Sequence, residues 1–141
     1  MGKINWPRVI LGGAVAGLII NLFEFILNGV ILAEDMNAAI SALGRHLGGP
    51  ELLMFTTWAF LVGIFAVWLY AAIRPRYGAG PKTALAAAAA VWFLGYLLAE
   101  VTPLALKLFP TRVMVIGLAV GLVEVIVGAM VGAWLYREAA A

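Results

Sequence analysis

Residues 8–33 read RVILGGAVAGLIINLFEFILNGVILA. Three further runs share this character, roughly 51–73, 83–108 and 113–136, and each of the four holds at least 23 residues. At about 1.5 Å of rise per residue the shortest makes about 35 Å of helix, more than the roughly 30 Å core of a bilayer. Backbone groups in hydrocarbon need partners within their own segment, so each run is expected to be a helix. The chain is therefore expected to be all-α, a polytopic integral membrane protein forming one domain over 1–141, a bundle of four transmembrane helices. Could the first run be a cleaved signal peptide? It is too long for a signal's apolar region, and Asn21, Glu24 and Asn28 interrupt it.

Composition agrees. Of 141 residues 65% are hydrophobic and 11% are charged, too few polar groups to cover a water-soluble domain of this size. The nine basic residues are scattered singly and the net charge is only +2, which leaves no footprint for nucleic acid. With no cysteine there is no disulfide, thiolate metal site or cysteine nucleophile. Trp6, Trp58, Trp68, Trp92, Trp134, Tyr70 and Tyr136 lie mostly toward the ends of the runs, as interfacial belts do. The lipid bilayer is the first expected partner.

Orientation follows from lysine and arginine. Four spans put the N-terminus, the 74–82 turn and the C-terminus on one side, with Lys3, Arg8, Arg74, Arg76, Lys82 and Arg137. The other side carries Arg45, Lys107 and Arg112. Both termini are expected in the cytoplasm.

The connections differ. Arg74 to Lys82 reads as a tight turn, with Pro81 opening the third helix, and Pro110-Thr111 as an equally short outer one. Between the first two spans, Met36, Ile40, Leu43 and Leu47 recur at helical spacing, Asp35 can cap the start and Gly44 the end. A short amphipathic helix on the outer surface is expected there, with a plain ordered loop as the alternative. Trp68-Leu-Tyr70 and Trp134-Leu-Tyr136 echo each other, a faint internal duplication.

The chemistry lies in three glutamates at membrane depth, Glu24, Glu100 and Glu124. An ionised acid at a helix centre costs about 2.5–3.5 kcal/mol, and keeping it protonated at neutral pH costs a similar amount. At 100° per residue, Gly13, Gly17, Asn21, Glu24 and Asn28 fall within about 80° of one another on the first helix. Gly117, Gly121, Glu124, Gly128 and Gly132 do the same on the fourth. These glycines are expected to pack helices closely and to turn both glutamates toward protein. Thr56, Gly63 and Tyr70 recur every seven residues on the second helix. Glu100 lies one turn beyond Tyr96, whose hydroxyl is expected to reach it, and Pro103 should loosen the helix nearby.

No lysine, arginine or histidine lies deep in any span. A bound proton, a bound cation or neutral hydrogen bonds must satisfy the acids. Glu24, Glu124 and Glu100, with Asn21 and Asn28, are the expected proton- or cation-binding residues of a transport-type protein. The competing reading makes them packing locks in a non-catalytic accessory subunit of a larger membrane complex, docked through the glycine stripes. Either reading fits a homo-oligomer or a partner membrane subunit.

No enzyme is expected. HExxH and GxSxG are absent, Gly78-Ala-Gly-Pro-Lys-Thr83 lacks the phosphate-loop spacing, and His46 is the only histidine. No cofactor is expected, and no metal ligand set is identifiable.

Residues 12–29, Ala42-Leu-Gly-Arg45 and Trp68-Leu-Tyr-Ala-Ala-Ile-Arg-Pro-Arg76 resemble small bacterial inner-membrane proteins to which no activity is assigned. That resemblance covers most of the chain and implies a bacterial cytoplasmic membrane. In size alone the chain is also similar to small multidrug exporters, which carry a glutamate in the first of four helices. Glu24 would be its counterpart, while the long outer loop, Glu100 and Glu124 depart from that pattern.

Overall fold

Asn5 and Pro7 open the first helix. The Asn5 side chain accepts a hydrogen bond from the Arg8 amide at 3.3 Å, and proline in the first turn loses no hydrogen bond there. The computed structural model of the chain describes residues 3–139, and no strand occurs among them. Helix α1 spans Trp6–Ile26 and continues as a π-helical stretch, Leu27–Ile31. Helix α2 is Ala33–Ala42 and α3 is Gly49–Tyr77. Helix α4, Pro81–Trp92, runs into a second π-helical stretch, Phe93–Leu97, and then the short α5, Val101–Ala105. Helix α6 spans Thr111–Leu135. Four helical units, Trp6–Ile31, Gly49–Tyr77, Pro81–Ala105 and Thr111–Leu135, are long and apolar enough to cross a membrane.

Two local expectations need correction. Helix α3 does not stop at Arg74 but runs through Pro75 to Tyr77. Proline in a last turn forfeits one hydrogen bond and leaves the helix able to close on Gly78, whose φ of 87° suits glycine. The tight turn is thus confined to Gly78–Gly80. Asp35 does not cap α2, because Leu32 holds that position and Asp35 lies inside the first turn. Its carboxylate instead faces Arg112 at 3.6 Å. Gly44, at φ 69°, does adopt the left-handed backbone expected after α2.

Helix α1 packs on α3 and α6, and α4 packs on α6 and α3. The order around the bundle is therefore α1, α3, α4, α6. Its seams are built of small side chains. Ala16, Ala59, Ala66, Ala87 and Ala129 are buried, whereas Leu18, Phe25, Leu53, Phe65, Leu94 and Trp134 point outward. This inverts the rule of a water-soluble bundle, which buries its large apolar residues.

Glycine sets the spacing. A Cβ on Gly63 would overlap the Gly17 amide nitrogen and lie 2.6 Å from the Gly13 carbonyl oxygen. A Cβ on Gly12 would lie 2.6 Å from the Gly132 carbonyl oxygen. The α1–α3 and α1–α6 seams are thus backbone against backbone, which maximises dispersion contact between the helices.

The end that carries both termini is closed by aromatic groups. Tyr70 and Tyr136 meet edge to face with ring centroids 6.0 Å apart, and the Arg74 guanidinium sits 5.6 Å from the Tyr136 ring centre. The Tyr136 hydroxyl accepts from the Asn5 amide at 3.3 Å and that of Tyr70 from the Gly80 amide at 3.2 Å. The two Trp-Leu-Tyr echoes of the sequence thus meet at this end. The opposite, distal end is looser and holds the site.

Candidate functional site

The structure brings Glu24 and Glu124 together. Glu24 comes from α1 and Glu124 from the middle of α6, and their carboxyl groups are within hydrogen-bonding reach of each other. Each has one further polar partner. Asn28 donates from Nδ2 to Glu24 Oε2 at 2.5 Å, and the Tyr96 hydroxyl donates to Glu124 Oε1 at 2.7 Å. Glu124 is fully buried, and among the described residues its Oε2 has no hydrogen-bond donor.

Both partners come from the π-helical stretches. Asn28 lies in Leu27–Ile31 and Tyr96 in Phe93–Leu97. A π turn widens the helix locally and changes the direction of the side chains that follow, and such turns recur at functional sites. Tyr96 accordingly points into the seam toward Glu124 and not, as expected from α-helical spacing, toward Glu100. Room for its ring comes from Gly121, where a Cβ would lie 2.5 and 2.7 Å from two ring carbons. Trp58 packs on the other side of the ring, 5.3 Å between centroids and tilted by 56°.

A cavity of about 490 Å³ opens beside the pair at the distal end. Glu24, Asn28, Tyr96 and Glu100 supply its polar wall, while Glu124 lies behind them and does not reach it. Gly117 also lines this cavity. A Cβ there would meet nothing within 4 Å, so Gly117 does not pack a helix as its place in the stripe implies. Gly13, Gly17, Gly121, Gly128 and Gly132 all face atoms of other helical units of the same chain. The contacts offered by those stripes are therefore used within the bundle.

Asn21 stands apart. Its Nδ2 donates to the Gly17 carbonyl at 2.9 Å and to the Thr56 carbonyl at 3.3 Å, tying α1 to α3 one turn from Glu24. Sequence reasoning placed it on the right face but did not foresee this use. It also missed Tyr96 as a partner of Glu124, and Trp58 as the wall behind it. The spacing Tyr96–Glu100 hid the first, since no residue pattern announces a π turn.

Two ionised carboxylates about 4 Å apart repel by about 4 kcal/mol at an effective dielectric of 20. A proton or cation held between them removes that term. Among the described residues no lysine, arginine or histidine bonds either acid, because the ion pairs lie elsewhere, Arg74–Glu138 and Arg112–Asp35, both at 3.6 Å. Nor do three His, Asp or Glu side chains converge as a metal cage among those residues. The arrangement can hold one positive charge and exchange it with the cavity through Glu24. Comparisons with family models, curated proteins and solved structures give no match.

Proposed function

We propose that this is a multi-pass membrane protein of transport type, in which the Glu24–Glu124 pair binds a proton or small cation and exchanges it through the distal cavity. One observation carries the reading: two carboxyls meet in a small-residue seam, one fully buried with an unpartnered oxygen, the other on the cavity wall. Glu100, on the same wall, adds negative potential at the mouth.

Membrane insertion is part of the proposal. Support comes from the four apolar helical units and from the outward-facing Leu, Phe and Trp side chains around small-residue seams. Lys3, Arg8, Arg74, Arg76, Lys82 and Arg137 belong to the end with the termini, which favours that end in the cytoplasm. The distal cavity then opens toward the outer face, with α2 beside it at the interface. The resemblance to small bacterial inner-membrane proteins favours the cytoplasmic membrane of a bacterium. Assembly into a homo-oligomer, or docking as an accessory subunit, would need surfaces other than the glycine seams.

Reconstitution tests the function. Full-length protein in liposomes with an entrapped pH dye should take up protons when a potassium diffusion potential is imposed. Glu24→Gln and Glu124→Gln should each abolish this uptake while keeping the helical content. Uptake equal in wild type, both variants and empty liposomes defeats the proposal.

A further inference from the structure

We infer that the distal cavity is a binding site for an organic cation with an apolar body, of the aryl-alkyl ammonium class, and that this cation competes with a proton for Glu24. The inference rests on the carboxyl-pair reading and narrows its ligand.

Charge comes first. Glu24 and Glu100 line the cavity, and among its described lining residues there is no lysine, arginine or histidine. Of the remaining polar groups, Asn28 Nδ2 is engaged with Glu24 and the Tyr96 hydroxyl with Glu124. Too few free oxygens are left to replace the hydration shell of a divalent metal, which takes six or more.

The rest of the wall is apolar, with Phe55, Trp58 and Phe109 as aromatic faces and Met36, Met54 and Met114 as adaptable thioethers. Aromatic faces attract ammonium groups, and thioethers fit irregular apolar bodies. Trp58 is already held by its contact with Tyr96. A volume of about 490 Å³ lies within the roughly 300–1,000 Å³ of small-molecule sites. An acid pair, aromatic faces and thioethers in one cavity suit a cation that brings its own apolar surface.

The proton on Glu24 sets the exchange. When the ammonium group takes up the charge of Glu24, that proton leaves to water through the cavity that Glu24 lines. One positive charge arrives and one departs, so the net charge of the site is unchanged. The titratable groups facing Glu24 are Glu124 from α6 and Tyr96 and Glu100 from the third helical unit. Helix α3 presents Met54, Phe55 and Trp58, and its own helix presents Asn28, none of which titrates. Acidification therefore protonates carboxyls only, and it must weaken binding.

The test is calorimetric titration of the full-length protein in lipid nanodiscs with benzyltrimethylammonium, in two buffers of different ionisation enthalpy. Sodium and tetramethylammonium serve as comparators and empty nanodiscs as background. Saturable binding with proton release is expected, weaker at lower pH and on the order of tenfold or more weaker in Glu24→Gln. Trp58→Leu, which leaves all the carboxyls in place, should also weaken it, and tetramethylammonium should bind less well than the aryl compound. Unchanged affinity in both variants overturns the inference. So does proton release by sodium with none by benzyltrimethylammonium, which would leave the carboxyl-pair function standing. Silence from every cation, together with failed proton uptake in liposomes, defeats both.

Discussion

Replacing Tyr96 with phenylalanine removes a single oxygen from the site. The ring is buried, fits the space left by Gly121 and packs at a tilt against Trp58, so Tyr96→Phe should keep all of that packing. What disappears is the 2.7 Å hydrogen bond to Glu124 Oε1. The other oxygen has no donor among the described residues, so Glu124 would keep only Glu24 as a partner. A hydrogen bond to a charged acceptor contributes about 1.5–3 kcal/mol, and one to a neutral acceptor about 0.5–1.5. Interhelical hydrogen bonds in membranes average about 0.6 kcal/mol. With the positive charge shared across the pair, Tyr96→Phe should cost about 1–2 kcal/mol. In a Glu124→Gln background the same change should cost only about 0.6 kcal/mol, a coupling near 1 kcal/mol. The assay is reversible unfolding in mixed micelles followed by far-UV circular dichroism, on all four members of the cycle. A cost below about 0.3 kcal/mol for Tyr96→Phe would refute the Tyr96–Glu124 contact. Coupling near zero beside a measurable single cost would show that the carboxyl accepting the bond is neutral.

Other substitutions probe the seams with the same unfolding measurement. Gly63→Ala drives a methyl into the backbone of α1 at Gly13 and Gly17, so it should cost about 2 kcal/mol or more, and a near-neutral result would contradict the close α1–α3 approach. Gly117→Ala should change stability by less than about 0.5 kcal/mol, because open space surrounds the site. Gly121→Ala must displace the Tyr96 ring, so its cost should be distinctly less than additive with that of Tyr96→Phe. Asp35→Asn breaks an exposed ion pair and should cost no more than about 0.5 kcal/mol, falling further in high salt.

How much of this was legible in the residues themselves? The four apolar runs and their helical state follow from length and from the need to pair backbone groups internally. Glycines every four residues in α1 mark a smooth face, and it is the face that receives α3. Glu24 and Glu124 sit on such faces, which is enough to turn them inward, though nothing in the spacing says that they meet. The misreading of Tyr96 has a definite physical cause. Counting at 100° per residue assumes unbroken α-geometry, and this chain leaves it at Leu27–Ile31 and Phe93–Leu97. Beyond such a point every facing counted at 100° is rotated, which is why α-helical spacing points Tyr96 at Glu100 while the structure turns it to Glu124. Gly117 shows a different limit, since a stripe can run past the partner helix and end in open space. Pro75 shows a third, because a proline in the last turn does not end a helix.

Packing alone does not account for the distal end. A lock between α1 and α6 would be satisfied by small apolar residues, as it is one and two turns further along α6, where Gly128 meets Ala16 and Gly132 meets Gly12. Instead the chain carries two carboxyls there, each bonded by a residue from a π-helical stretch that sacrifices regular hydrogen bonding. The two acids are also unequal. Glu124 is sealed, while Glu24 borders a cavity whose wall contains a third acid and no base among its described residues. A lock gains nothing from one accessible partner. Holding and releasing a charge needs both an enclosed partner, where attraction is strong, and an accessible one, where exchange is possible. That asymmetry favours binding over mere packing as the reason the glutamates are there.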